Sequence, residues 1–186
     1  MAKYLGIPIA LAYGETDTAT GNNLVDSTAS FKLNVKVGDV VFNTTDNTQA
    51  IVVGVTSASV IVLSAPIAQT SGEDYAIFAP NDDTRGNQIL RTDNYQISQW
   101  QEASPDNDSV IIWFQNSLGT NMAKVTLAQI MNASASNPNF IEEVIEDYVL
   151  RLDAQSGTAS RLDIPLNNFR DHVNSVVLLT KTITIG

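Results

Sequence analysis

Two valine-rich stretches that read as hairpins, linked by turns of asparagine, threonine and serine, run through residues 23–80 and commit this chain to β structure. The strands of these hairpins lie in Val37-Gly-Asp-Val-Val-Phe-Asn-Thr-Thr-Asp-Asn-Thr48, Ala50-Ile-Val-Val-Gly-Val55 and Ser59-Val-Ile-Val-Leu-Ser-Ala65. Valine and isoleucine branch at Cβ, which crowds a helix and suits a pleated surface. Residues 45–48 make a hairpin turn, because Asp46 and Asn47 tolerate positive φ, and residues 56–59 make a second. The runs 51–55 and 60–63 are almost continuously apolar, which predicts strands buried on both faces. Gly54 inside the first marks a bulge. A further strand spans residues 75–78, between the turn at Gly72 and Pro80. The expectation is a small β barrel or sandwich over residues 23–80.

The flanks read differently. Residues 1–22 form an N-terminal arm, whose apolar part contains Gly6 and Pro8 and is too short and broken for a secretory h-region. Residues 81–92 replace apolar periodicity with Pro-side polar and charged residues, and predict a linker. Residues 93–186 read as an antiparallel α+β module with strands at 95–100, 110–114 and 124–129. Phe140, Ile141, Val144, Ile145, Tyr148, Val149 and Leu152 then recur at helical spacing, with Glu142, Glu143, Glu146 and Asp147 on the other face. Asn139 and Glu142 form a variant capping box, and the helix should end near Ala154. A competing reading makes residues 148–153 a strand. Strands at 161–166 and 173–179 follow, and residues 180–185 alternate polar and apolar as a half-buried strand that can extend a neighbour's sheet edge. The fold class is mainly β with one principal helix (α+β): a barrel or sandwich, then an antiparallel α+β module.

Composition narrows function by exclusion. Ten Lys and Arg against twenty Asp and Glu leave a net charge of −10 with no basic cluster, so neither nucleic acid nor an anionic membrane surface is an expected partner. Cysteine is absent, which removes disulfides and thiolate metal sites.

Catalytic chemistry finds little to build on. His172 is the single histidine, and a hydrogen-bonded structural role fits it better than catalysis. Asp106-Asn107-Asp108 and Asp82-Asp83 carry too few oxygen ligands in sequence for calcium and read as turns. Glu142 and Glu146 lie on the solvated helix face, with no apolar pocket to shift a carboxylate. No glycine-rich phosphate loop is present. Trp100 and Trp113 read as packing anchors sooner than as a carbohydrate platform. The expectation is a chain without enzyme activity, cofactor or metal.

Leu24-Val-Asp-Ser-Thr-Ala-Ser-Phe31, the segment from Val37 to Asp46 and the pair of strands from Ala50 to Ala65 resemble a module common in virion structural proteins of tailed bacteriophages. The opening Met1-Ala-Lys-Tyr-Leu-Gly-Ile-Pro-Ile9 is similar to the starts of such proteins, and so is the later order of strands, helix and a Leu-Asp-Ile-Pro-Leu166 strand. The resemblance covers most of the chain and carries no catalytic residues. It implies a copy-rich particle component located in the virion: a capsid decoration (cement) protein assembled in the host cytoplasm, held as a homotrimer against the major capsid protein and copies of itself. The acidic surface favours the outside of the head over contact with packaged DNA. The residues expected to make the contacts are Tyr4, Leu5, Ile7, Ile9 and Leu11 in the arm, and Lys181, Ile183 and Ile185 in the tail. A tail or baseplate component is the alternative within the same class. A carbohydrate-binding module using the tryptophans is the alternative outside it.

Overall fold

The computed structural model describes residues 3–46, 48–68, 70–80, 83, 85–86, 88–92, 95–101, 109–115, 122–130, 140–154, 161–164 and 178–185. The chain is mainly β with one main helix, as the sequence predicts. It divides into two compact units, residues 10–86 and residues 1–9 with 87–186.

In the first unit, β2 (Ala12–Glu15), β3 (Thr18–Thr20), β4 (Asn23–Val25), β5 (Val40–Asn43), β6 (Thr48–Val55), β7 (Val60–Leu63) and β8 (Asp74–Phe78) form one antiparallel sheet, ordered β2-β8-β5-β6-β7-β4-β3. The two end strands, β2 and β3, are neighbours along the chain, separated only by Thr16 and Asp17. Three peptide steps of about 3.8 Å cannot span a flat seven-stranded sheet, so the sheet must curl until its edges approach. The result is a half-barrel. Its interior holds Leu24, Val41, Ala50, Val52, Ile61, Leu63, Tyr75 and Ile77, plugged by Phe31 and Val35 at either end of the short helix α1 (Phe31–Asn34).

Local chemistry sets the turns. Asn43 Oδ1 accepts the backbone N–H groups of Thr45 (2.9 Å) and Asp46 (3.1 Å), so the β5–β6 turn is fastened by the residue before it. Ser57 Oγ accepts the N–H of Ser59 at 3.2 Å in the β6–β7 turn. The pairing of β6 with β7 slips between Val52 and Gly54, which is the bulge expected at that glycine. Two-face burial of these strands does not hold. Val52 is fully buried while Ile51 and Val53 are 50% and 51% exposed, because a curled sheet has one interior face.

In the second unit, β1 (Tyr4–Ile7) lies between β13 (Arg161–Asp163), parallel to it, and β9 (Gln88–Arg91), antiparallel to it. β10 (Tyr95–Gln101), β11 (Ser109–Gln115), β12 (Met122–Ile130) and β14 (Leu178–Ile185) form an antiparallel sheet in that order. Helix α2 (Phe140–Ala154) buries Val144, Ile145, Tyr148, Val149 and Leu152, so the helical reading prevails over a strand at 148–153. Its Asn139 cap lies outside the described residues.

The expected domain boundaries shift in two places. Residues 1–22 are not an arm: β1 is the central strand of its sheet, with Leu5 and Ile7 fully buried, and β2 and β3 close the half-barrel. Residues 88–91 are a strand paired with β1, not linker. In both cases backbone hydrogen bonds to distant segments order residues that look irregular locally.

Candidate interaction surface

The seam of the half-barrel carries a compact buried polar cluster. Asp26 follows β4 and is 2% exposed, and Tyr75 on β8 is equally buried. The Tyr75 hydroxyl donates to Asp26 Oδ2 at 2.6 Å, while Asp26 Oδ1 accepts the Thr28 N–H (2.7 Å) and hydroxyl (2.6 Å). Burial opposes ionisation of Asp26, but the hydrogen bonds from Thr28 and Tyr75 outweigh it and hold the carboxyl below its usual range. Burial, then the bond to Asp26, pushes the Tyr75 hydroxyl far above its usual range. An ionised carboxylate held by a neutral phenol is a clasp between the two ends of the sheet. Gly14 makes room for it, since a Cβ there would lie 2.5 Å from Asp26 Oδ2.

A second buried set lies beside it. Glu73 Oε1 accepts the Thr70 N–H and hydroxyl, and Glu73 Oε2 accepts Asn43 Nδ2 at 2.6 Å. Thr16 Oγ1 accepts the Glu73 N–H and donates to the Thr70 carbonyl at 3.0 Å. The carboxylate and amide groups here hold loops to strands. Among the described residues no group of His, Cys, Asp and Glu is arranged to hold a metal ion.

At the other side of the unit, Asp39 is completely buried and accepts the Lys36 N–H at 2.7 Å and the Arg85 guanidinium. Arg85 also pairs with Asp83 and donates to the Asn34 carbonyl at 3.3 Å. These bonds hold the segment from α1 to β5, whose outer surface exposes Leu33, Val37, Lys32 and Lys36. Gly38 N–H to Val52 O and Val52 N–H to Asp39 O, both 2.8 Å, tie this segment beside β6 and its outward Ile51 and Val53.

The residues expected to make contacts are distributed unevenly. Leu5 and Ile7 are spent inside their own sheet, and Tyr4, Ile9 and Leu11 are half-buried. Lys181, Ile183 and Ile185 pair with Leu127, Val125 and Ala123 on β12, and these in turn face Val110, Ile112 and Phe114 on β11. Among the described residues β14 ends the order of that sheet, so what it offers a neighbour is a backbone edge.

Trp100 pairs with Val110, and Trp113 lies three residues further along β11, so the two positions fall on opposite faces of the sheet. Glu146 is half-buried on α2, and the side chain of Glu142 lies outside the described residues. So do His172, Asp171, Asp82 and residues 106–108, while Asp83 binds Arg85 as a turn carboxylate. Sequence reading missed the Asp26–Tyr75 clasp, the Glu73 set and the exposed α1 corner. Lys32-Leu-Asn-Val-Lys36 alternates with the period of a strand although residues 31–34 are helical, so the corner carried no local signal.

Compared with protein families, curated proteins and solved structures, the chain matches none.

Proposed function

We propose that this protein is a virion structural component of a tailed bacteriophage, a capsid decoration (cement) protein that binds the outer surface of the major capsid protein and copies of itself, as a homotrimer, and reinforces the head. The observation that carries the reading is the outer edge of β14, which among the described residues ends a four-stranded antiparallel sheet. An edge strand presents backbone donors and acceptors to a neighbouring chain, and repeated contacts of this kind sum over a particle. The outward apolar side chains of the half-barrel add contact area of the kind that a covering partner removes from water. The charge of −10 favours the exterior of a DNA-filled head.

The N-terminal segment is withdrawn from this role as a free arm, since removing β1 would open the sheet it centres. The test is co-sedimentation of the purified full chain with purified phage heads, followed by electron microscopy of the decorated particles. Saturable occupancy at a fixed ratio on the head is the expected result. Density on the tail or baseplate would move the protein to that alternative, and no binding to any particle would refute the class.

A further inference from the structure

We infer that the α1 corner of one copy docks on the outer face of α2 of a second copy, so that the protein associates head to tail. This deepens the self-assembling half of the proposed function and rests on it.

Charge selects the pairing. Copies carrying −10 repel one another unless a cationic patch meets an acidic one. Residues 10–86 contain nine acids and three bases, and the three bases, Lys32, Lys36 and Arg85, gather at this corner. Arg85 is already engaged by Asp39 and Asp83, which leaves the exposed lysines to supply the field. Next to them in sequence stand Leu33, 81% exposed, and Val37, 65% exposed, with Ile51 and Val53 on β6 exposed as well.

The complementary surface is on α2. Leu150 is 68% exposed there, and Glu143, Glu146 and Asp147 lie seven, four and three residues before it on the same helix face. Arg151 pairs with Asp147 at 2.6 Å, and three acids against that one base still leave the patch around Leu150 acidic, which matches an apolar patch flanked by lysines. The two patches differ, so each copy carries one of each. Such a heterologous contact closes into a ring or extends as a filament, according to the rotation between copies.

Sedimentation velocity of the full chain over a wide concentration range tests the pairing. Wild type should associate, more weakly as salt rises. The charge reversals Lys32→Glu with Lys36→Glu, or Glu143→Lys with Asp147→Lys, should each weaken association about tenfold or more while circular dichroism stays unchanged. Leu33→Asp should do the same. Mixing the two reversed proteins should restore association, because every patch then has a partner of opposite sign. A wild type that remains monomeric, an oligomer indifferent to the reversals, or a mixture that stays dissociated would overturn the inference. Head binding is read separately: a monomer that still decorates heads sinks this pairing alone, and self-association without head binding sinks the capsid reading alone.

Discussion

Replacing Tyr75 with Phe removes one oxygen atom and isolates the clasp at the barrel seam. The ring stays in place against Phe31, whose centroid lies 6.0 Å away, so packing is conserved. What is lost is a 2.6 Å hydrogen bond to a buried carboxylate. Hydrogen bonds to charged groups contribute about 1.5–3 kcal/mol, and Asp26 Oδ2 would keep no replacement donor of equal strength. The cost should depend on pH in a determined way. The Asp26 carboxyl sits below its ordinary range when folded, so its contribution is present above about pH 4 and is lost as pH falls from there. The Tyr75 hydroxyl is raised when folded, so its contribution is present below about pH 10 and is lost as pH rises from there. The difference between wild type and Tyr75→Phe should therefore be flat through neutrality and shrink at both extremes. Urea unfolding followed by far-ultraviolet circular dichroism measures it. Both tryptophans, Trp100 and Trp113, belong to the other unit, so indole fluorescence would report the wrong part of the molecule. Hydrogen exchange on peptides covering β5 to β8 should assign the loss to the half-barrel. A cost under about 0.5 kcal/mol at pH 7, or one that does not change with pH, would refute the account of Asp26 as an ionised acceptor held by a neutral phenol.

Other substitutions probe the same frame. Gly14→Ala places a Cβ against Asp26 Oδ2 and 3.1 Å from the Tyr75 hydroxyl, and should lower the urea midpoint by the equivalent of about 1–3 kcal/mol. Gly54→Ala meets only Val62 atoms at 3.6 Å and should fall within about 0.5 kcal/mol of wild type, which makes it the control. Glu73→Gln cannot accept from Asn43 and from Thr70 at once, since one of its two atoms becomes a donor, and should cost about 1–3 kcal/mol by the same assay. Arg85→Ala strips the partner from fully buried Asp39 and should cost about 2–3 kcal/mol, below the range of a wholly buried pair because Arg85 reaches solvent; Arg85→Lys should recover only part, as a point charge replaces a fork.

The sequence by itself determined what is local. Alternation and branched side chains specify the strands from 40 to 63, Gly54 marks the slip in their register, and a 3.6-residue period places α2 at Phe140–Ala154. Each of these depends on contacts within about ten residues, where periodicity and turn chemistry leave few choices. Tertiary structure alone decided which segments lie across from one another. Tyr4–Ile7 reads locally as a loose apolar lead-in, yet it threads between strands beginning at Gln88 and Arg161. Asp26 and Tyr75 are 49 residues apart and meet only because the sheet curls. The same curl explains why Ile51 and Val53, read as buried on both faces, stand outside. A hydrophobic period states that one side of a strand must leave water, but the closure of the sheet chooses that side and what, if anything, covers the other.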